Sequence, residues 1–436
     1  MRERRFQGPA RIVGWNPRAN SPWLGVARGF KLARDHWLAG REEKRWYMEA
    51  LEEAFPGSSS LLGDRLLLFH RAFSPDGGYG VEVFHDALRA GLLAYEGSKW
   101  RLYPTGALAS LLATMGYPVY RVEARGRLKG KKIRIEGCED KEYIIVGSRG
   151  YSGVARRLGG DCMYRVKDMA PGGFKPLGES TVEDAVAVNR AYIERLASEA
   201  REFIASEAGR GRVYVAVSGG LDSSVALTLA VEALGPERIT AVYADTGMEF
   251  PESRETVEAL ASRLGVELAV VRAERDPLEL IRERGLMARD NRWCTRLLKL
   301  EPLRRFYKRV GARVVVDGAR SLESEGRAKT PRVGVNPLIP GVKRLLPIKS
   351  WSRLEVQLYA SLKRLPVNPL YDTGFQRIGC MVCPAMHLHE LRLASKMKPG
   401  FYERLYNTLK STGVRDPRGT ILSGRWRNTP TPRDKG

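Results

Sequence analysis

Alternation of apolar and polar residues marks four short segments between residues 118 and 168. The segments read PVYRVEARG, KKIRIEG, YIIVGSRG and MYRVKDM, and turns that contain glycine separate them. A period of two places successive side chains on opposite faces of a strand, so the pattern predicts short antiparallel strands. Several such strands in a row indicate a small barrel or sandwich.

Helical periodicity lies on both sides of these strands. Residues 33–54 carry apolar side chains at mixed spacings of three and four, which predicts a helix. Together with short mixed segments at Leu66–Phe69 and Val81–Phe84, it predicts an α+β region over residues 1–116. After a linker rich in Pro and Gly, Ser180 and Glu183 have the spacing of a capping box, and an amphipathic helix is predicted to about Ala205.

Strand-like and helical segments alternate from Val213 onward. This order predicts βαβ units, and hence an α/β domain with a doubly wound, mostly parallel sheet over residues 180–390. Residues 117–176 would then form the small β-module. Residues 391–436 are predicted to form a C-terminal helix, followed beyond Asp416 by a flexible tail without periodicity.

Charge narrows the range of partners. The 436 residues include 73 Lys and Arg against 50 Asp and Glu, a formal net charge of +23. This balance favours a polyanion such as RNA or DNA as a partner. No uncharged apolar run reaches the ~18 residues of a membrane span, and the N-terminus lacks the apolar core of a secretion signal. Five cysteines in so long a chain exclude a disulfide scaffold, so a cytoplasmic protein without membrane contact is expected.

A glycine pair stands between the strand-like run Val213–Val217 and the next predicted helix. The connecting residues are Ser218, Gly219, Gly220, Leu221, Asp222, Ser223 and Ser224. A turn of this kind brings backbone N–H groups and a helix N-terminus close to a ligand, which favours an anion. The alternative is a glycine-rich turn with no ligand.

This strand–SGGLDSS–helix sequence resembles the PP-loop of the ATP pyrophosphatase superfamily. Further motifs resemble the phosphoadenosine phosphosulfate (PAPS) reductase family of that superfamily, over roughly residues 210–390. They are AVYADTGMEFP from Ala241, RWCT from Arg292, VVVDGARSLESEGRA from Val314, LPI from Leu346 leading to Trp351, and YDTGFQRIGCMVCP from Tyr371. The resemblance implies an adenine-nucleotide α-hydrolase-like fold, with ATP and Mg²⁺ as cofactors.

The resemblance also implies roles for individual residues. Pyrophosphate would be held by Ser218, Gly219, Gly220, Asp222, Ser223 and Ser224. Asp245 and Gly247 would lie near the nucleotide, Arg320 and Arg327 would neutralise phosphoryl or sulfuryl oxygens, and Asp222 or Asp245 would carry Mg²⁺. The predicted catalytic residues are Asp222, Arg320, Cys294, Cys380 and Cys383.

Two departures from the reductases change the expected reaction. The SGGLDSS loop is intact, and no cysteine follows Cys383 that could act as the reductase nucleophile. Both favour an enzyme that adenylates a substrate with ATP and then transfers sulfur from a donor that the sequence leaves unidentified. The alternatives are a PAPS or APS reductase of sulfate assimilation, and a nucleic-acid-binding protein that keeps the fold without catalysis.

Three cysteines fall inside the family motifs. Cys294, Cys380 and Cys383 are expected to hold a [4Fe–4S] cluster with one open iron, as in the tRNA thiolases that the resemblance suggests. Zinc bound by the same cysteines with His387, or with His389 as a second possible fourth ligand, is the alternative, and three inert thiols are another. Cys138 and Cys162 are expected to be small buried core residues.

The basic β-module suggests the substrate. Residues 118–176 resemble a divergent PUA domain, an RNA-binding barrel, in an archaeal-type fusion to the nucleotide domain. Basic side chains are dense there, among them Lys132, Arg134, Arg165 and Lys167. RNA, and tRNA first, is therefore the expected partner, with DNA and a merely solvated basic face as the alternatives.

Overall fold

The computed structural model describes residues 35–75, 78–86, 88–123 and 128–428, together with the backbone of two N-terminal strands. The chain divides into two units, Met1–Ile193 and Glu194–Gly436. None of the helices in the described part of the chain is long and apolar enough to cross a membrane.

The first unit is built mainly from antiparallel strands. Its strands are β1 (Arg11–Asn16), β2 (Ser21–Val26), β3 (His36–Leu38), β4 (Leu68–Phe73), β5 (Tyr79–His85), β6 (Leu88–Glu96), β7 (Lys99–Pro104), β8 (Val119–Arg121), β9 (Lys132–Arg134), β10 (Tyr143–Ser148), β11 (Tyr151–Arg157) and β12 (Met163–Pro171). Its helices are α1 (Arg41–Ala54), α2 (Ser59–Leu62) and α3 (Gly106–Thr114), and α4 (Val182–Glu207) contains the division between the units.

Two five-stranded sheets organise this unit. One has the order β3-β4-β5-β6-β7, and its apolar side chains form one core with α1 and α3. The other has the order β8-β10-β11-β12-β9, with β8 parallel to β10 and the remaining pairs antiparallel. The predicted antiparallel pairing is therefore present with one exception. Among the described residues no pairing joins β8 to β9, so these pairings form an open sheet, and a closed barrel stays a prediction.

Two predictions about helix starts need correction. The pattern of residues 33–54 predicted one helix, but β3 occupies His36–Leu38, where Trp37 is buried and pairs with Phe69. Residues 33 and 34 lie outside the described residues. The box at the start of α4 is shifted by one residue, because Thr181 Oγ1 accepts from Asp184 N, and Thr181 N donates to Asp184 Oδ2.

The expectation that Cys138 and Cys162 are small buried core residues is also wrong, because both are only half-buried. Cys138 and Cys162 form a disulfide, with their Cα atoms 5.8 Å apart. The register of β9 against β12 explains the pairing, since Ile135 N donates to Cys162 O at 3.1 Å just before Cys138. Spacing along the chain could not reveal this neighbourhood.

The second unit contains the predicted α/β domain. Its strands are β13 (Val213–Val217), β14 (Ile239–Asp245), β15 (Glu267–Arg272), β16 (Val314–Asp317), β17 (Val333–Asn336) and β18 (Ile339–Leu345). Its helices are α5 (Leu221–Leu234), α6 (Pro251–Leu264), α7 (Pro277–Arg284), α8 (Glu301–Arg309), α9 (Glu325–Lys329), α10 (Arg353–Leu362), α11 (Leu388–Met397), α12 (Pro399–Ser411) and α13 (Pro417–Ser423).

The six strands form one sheet in the order β15-β14-β13-β16-β18-β17. Five strands are parallel and β17 is antiparallel, so the sheet is mixed. Tyr214 and Val242 pack with Phe306 of α8 on one face. Residues alternate along β13, and α5 packs against this strand on the opposite face. Helices thus cover both faces, as predicted for a doubly wound fold.

The predicted flexible tail is wrong as far as the structure describes it. Residues beyond Asp416 form α13 and a 3₁₀ turn at Arg425–Asn428, and Ile421 and Trp426 are buried. Residues 429–436 lie outside the described residues. These elements are too short to show periodicity, and long-range contacts hold them in place.

Candidate nucleotide and thiol site

The nucleotide loop, Ser218–Ser224, connects β13 to α5 at the carboxyl edge of the parallel strands. The chain continues to β14 on one side of β13 and later adds β16 on the other side. Such a reversal of strand order opens a crevice at the carboxyl edge, where ligands of doubly wound folds bind. The loop therefore lies where the fold favours a ligand.

Two glycines let the backbone approach closely here. Gly219 has φ +73°, and a Cβ on it would lie 2.6 Å from Ser253 Cα. A Cβ on Gly318, just after β16, would lie 2.6 Å from Asp222 O. Both contacts are with backbone, which cannot swing aside like a side chain, so the crevice requires glycine at both positions.

Serine side chains hold the turn in shape. Ser218 N donates to Ser223 Oγ at 3.1 Å, and Ser223 Oγ donates to Gly220 O at 2.8 Å. Ser224 Oγ also donates to Gly220 O, at 3.2 Å. In this structure the hydroxyls of Ser223 and Ser224 thus bond within the loop and hold the orientation of the first turn of α5.

The predicted arginines are paired with carboxylates. Arg320, which is 3% exposed, donates through Nε to Asp222 Oδ1 at 2.8 Å. Arg327 donates to Glu323. Arg320 therefore contacts the loop directly, and it holds Asp222, one of the two carboxylates predicted as alternatives for carrying Mg²⁺.

The end of β14 contributes the second predicted pair. Asp245 Oδ1 accepts from Gly247 N at 3.1 Å, and Thr246 N and Oγ1 each donate to Glu249, both at 2.8 Å. These bonds close a compact turn after the strand. The turn connects to the thiols, because the Cys380 thiol donates to Glu249 Oε1 with a sulfur–oxygen distance of 3.6 Å.

Two residues beside the loop were not predicted from the sequence. Tyr371 Oη accepts from Leu221 N at 3.0 Å, and Asn368 Nδ2 donates to Gly219 O at 3.2 Å. Burial raises the pKa of Tyr371. Asn368 precedes a proline and caps the turn Pro369–Thr373, and this Asn-Pro signal could have drawn attention to the position.

The three predicted thiols are free and partly buried around one apolar cluster. Burial raises the pKa of Cys294, with Cys383 adding to the rise and Arg292 opposing it. Burial likewise raises the pKa of Cys380, followed by the effects of Glu249, Cys383 and Cys294, while Lys299 lowers it. The thiols thus act on one another electrostatically, as neighbours in one region.

The predicted metal ligands are not arranged as a metal site. Within the described residues, no group of three or more His, Cys, Asp or Glu side chains is placed to hold a metal ion. His387 and His389 stack with their ring centroids 5.8 Å apart, and burial lowers the pKa of His389. The predicted cluster or zinc site therefore stays a prediction.

The thiol segment, Gln376–Met386, is held by residues from elsewhere in the chain. The carboxylate of Glu390 accepts from Gln376 N and His387 N, both at 2.8 Å. Arg289 Nε donates to Pro384 O at 3.2 Å, and buried Arg427 donates to Met386 O. The sequence analysis missed these residues because none of them shares a motif with the cysteines.

Known proteins supply a family for this arrangement. A model described as the phosphoadenosine phosphosulfate reductase domain matches residues 212–386. The phosphoadenosine 5'-phosphosulfate reductase of Cronobacter sakazakii is 30% identical over 201 residues, which are 45% of this chain and 80% of that protein. This chain belongs to the PAPS reductase family. The membership confirms the predicted nucleotide-binding fold of the PP-loop superfamily.

Other similar proteins carry different names. An uncharacterised protein of Methanocaldococcus jannaschii is 36% identical over 267 residues, 60% of this chain but only 55% of that relative's length. Among solved structures, the U34-tRNA thiolase NcsA of Methanococcus maripaludis, with its [4Fe–4S] cluster, has a TM-score of 0.33 and 16% identity, covering 54% of this chain and 78% of that one. The PAPS reductase domain matches part of the second unit, so residues 1–211 lie outside it.

Proposed function

We propose that this chain is an ATP-dependent sulfurtransferase that acts on a base of RNA, with tRNA as the first candidate. A carbonyl oxygen of the base attacks the α-phosphorus of ATP, and pyrophosphate leaves. A sulfur nucleophile then attacks the carbon that carries the activated oxygen, the carbon–oxygen bond breaks, and AMP leaves. The observation that carries the proposal is an intact SGGLDSS loop in a family member with no cysteine after Cys383.

The geometry of the nucleotide loop supports the adenylation step. The loop stands at the N-terminus of α5, whose first N–H groups favour the phosphates of ATP. Arg320 and Asp222 form one ion pair beside it, and Asp245 ends the adjacent strand. Mg²⁺ carried by Asp222 or Asp245 would balance the phosphate charge. Asp222 would exchange part of its bond to Arg320 for the ion.

The position of the thiol segment supports the sulfur step. A Cβ built on Gly220 lies 3.8 Å from Ile378 Cβ, so the segment directly adjoins the nucleotide loop. Cys380 contacts Glu249 in the turn after β14. A base activated at the loop would thus stand near the free thiols. A [4Fe–4S] cluster held by Cys294, Cys380 and Cys383, or alternatively zinc held by these cysteines and His387, remains part of this proposal.

The β-module supports an RNA substrate. On β9 and β12, Lys132 stands directly opposite Arg165, and Arg134 and Lys167 share their exposed face. Like charges opposite each other destabilise a sheet, and a polyanion relieves that cost. We further propose that this module is the PUA-like RNA-binding part of the chain.

The second candidate is reduction of a sulfonucleotide. The identity with the Cronobacter sakazakii reductase favours it. It predicts sulfite release from PAPS or APS without RNA, whereas the sulfurtransferase predicts pyrophosphate release that depends on RNA and ATP. A nucleic-acid-binding protein without catalysis would show RNA binding and neither product.

The test is incubation of the purified chain with ATP, a sulfide donor and unfractionated tRNA, followed by measurement of pyrophosphate and thiolated nucleosides. Asp222→Ala should abolish pyrophosphate release. Cys380→Ala should leave pyrophosphate release measurable but abolish thiolation, because it removes a thiol and keeps the loop. If the wild-type chain bound neither ATP nor tRNA, the proposal would be wrong.

A further inference from the structure

A basic helical tract begins at the thiols. Cys294 stands immediately before a π-helical turn, Thr295–Leu300, which continues directly into α8. Residues 295–309 contain six cations and a single carboxylate, Glu301. The cations are Arg296, Lys299, Arg304, Arg305, Lys308 and Arg309. At a rise of 1.5 Å per residue the tract extends about 20 Å from the thiols.

The α8 part of this tract has one apolar and one charged face. Leu303, Phe306 and Tyr307 are buried against the sheet. Arg304, Arg305, Lys308 and Arg309 are exposed. The exposed face therefore offers cations without an apolar centre.

Few of these charges are neutralised within the part of the chain that the structure describes. Arg305 pairs with Glu274 at 3.0 Å, and Arg296 with Glu301 at 3.8 Å. Arg304 and Lys308 have no carboxylate partner among the described residues, and neither has Lys299. Arg304 and Lys308 stand four residues apart on one face, an arrangement that costs helix stability. A bound anion would remove that cost.

The tract also lies next to the thiols. Cys294 directly precedes it, and Cys380 and Cys383 pack against the same apolar cluster as Leu298 of the tract. A polyanion held along the tract would consequently pass close to the thiols.

We propose that the exposed side chains of Lys299, Arg304 and Lys308 form a docking surface for the phosphates of the RNA substrate, and that this surface guides the target base to the thiols. The inference rests on the proposed function and adds to it a second RNA contact, in the nucleotide domain itself. It makes the catalytic unit a participant in RNA binding, alongside the basic β-module.

The chemistry of the face favours RNA over an acidic protein. Protein interfaces are built around a buried apolar and aromatic centre, with charges at the rim. Here the aromatic side chains Phe306 and Tyr307 point into the core, and the four fully exposed residues of α8 are all cations. Phosphate backbones are bound by such rows of cations with little apolar contact.

The test compares two double variants of the full chain. Arg304→Gln/Lys308→Gln removes two charges from the tract while keeping good helix formers. Arg210→Gln/Arg364→Gln removes two exposed cations that have no carboxylate partner among the described residues. Arg210 precedes β13 at the amino edge of the sheet, and Arg364 contacts α6, which packs with α5. Binding of unfractionated tRNA is measured from 50 to 300 mM salt, with circular dichroism and ATP binding as checks of folding.

In the tract variant the slope of log affinity against log salt should be less steep by about 2, roughly one for each phosphate that is no longer bound. The control variant should keep the wild-type slope. Equal slopes for wild type and the tract variant would overturn the inference and leave the proposed function intact. Unchanged tRNA affinity of the tract variant at every salt concentration would overturn it as well, whatever happens to thiolation. Absence of tRNA binding by the wild type would instead contradict the proposed function.

Discussion

The nucleotide loop and the thiol segment adjoin each other, but they are held in opposite ways. The loop lies between a buried strand and a helix, and the serine bonds that shape its turn join residues at most five positions apart, such as Ser218 to Ser223. The thiol segment lies between a 3₁₀ turn and α11, and its partners Arg289 and Arg427 lie 95 and 41 residues away along the chain. One part of the site is thus local in sequence and the other depends on distant residues.

The nucleotide loop and the thiol segment should therefore tolerate different substitutions. A local turn fixed by steric limits fails when its backbone is obstructed. A segment fixed by distant side chains loosens when one partner is removed, while the rest of the fold persists. Only a few contacts, chiefly from Tyr371 and Asn368, connect the thiol-bearing side of the site to the loop itself.

The largest effect is expected for Gly219→Ala. The new Cβ would approach Ser253 Cα to 2.6 Å, and the left-handed conformation costs a non-glycine residue roughly 1–2 kcal/mol. The loop must then shift, so we expect no measurable binding of ATP or pyrophosphate by titration calorimetry. Gly209→Ala is the matched control, since Gly209 has φ +67° with open space around it. Retained ATP binding in Gly219→Ala would contradict the account of the loop.

Arg427→Met should loosen the thiol segment without touching the loop. Arg427 is 8% exposed, and burial lowers its pKa to about 10, yet it holds Met386 O. Loss of this charged hydrogen bond should cost about 2 kcal/mol of unfolding free energy and speed the labelling of Cys383 by a thiol reagent. Arg415→Met, at an exposed site just before α13, should change stability by less than about 0.5 kcal/mol. An unchanged rate of Cys383 labelling would show that the thiol segment keeps its conformation without Arg427.

The same contrast explains what the sequence could predict. Val213–Val217 and the SGGLDSS turn were predicted correctly because burial, turn residues and helix start are all encoded within a dozen positions. The cysteines could be selected by motif, but the way they are held could not. Arg427 belongs to a tail whose sequence shows no periodicity, and Glu390 reaches Gln376 only in the folded chain.

Short elements were also difficult to predict from the sequence. Trp37 fits a helical spacing with the residues of α1, yet it pairs in β3 because Phe69 of β4 lies beside it. The disulfide between Cys138 and Cys162 likewise depends on the register of β9 with β12. In each case a long-range pairing overrode a local pattern.

Tyr371→Phe tests the contact between the nucleotide loop and the thiol-bearing side of the site. The Tyr371 hydroxyl accepts the N–H of Leu221, the first residue of α5, and a phosphate at this helix end needs the same donor. Removing the hydroxyl should make pyrophosphate bind several-fold more tightly, while unfolding free energy falls by about 1 kcal/mol. Tyr406→Phe, on α12, serves as the control. Weaker pyrophosphate binding would mean that Tyr371 is itself a ligand.

The smallest effect is expected at the far end of the helix that follows the loop. Burial raises the pKa of Glu232, but hydrogen bonds from Lys363, Tyr359 and Arg201 outweigh it, so its pKa in the folded chain lies below the ordinary 4.5. The unfolded chain then takes up the proton first as pH falls. The stability that Glu232 contributes is therefore complete above about pH 4.5 and is lost as pH drops through the folded pKa. Since the Glu232 carboxylate is partly exposed, we expect it to contribute roughly 0.5 kcal/mol to the free energy of unfolding.

Urea unfolding is measured from pH 3 to 7. As pH falls, Glu232→Gln should lose less stability than Glu255→Gln, a control at an exposed site on α6. Equal pH profiles would mean that packing on the sheet, and not this ion cluster, anchors α5 and with it the loop.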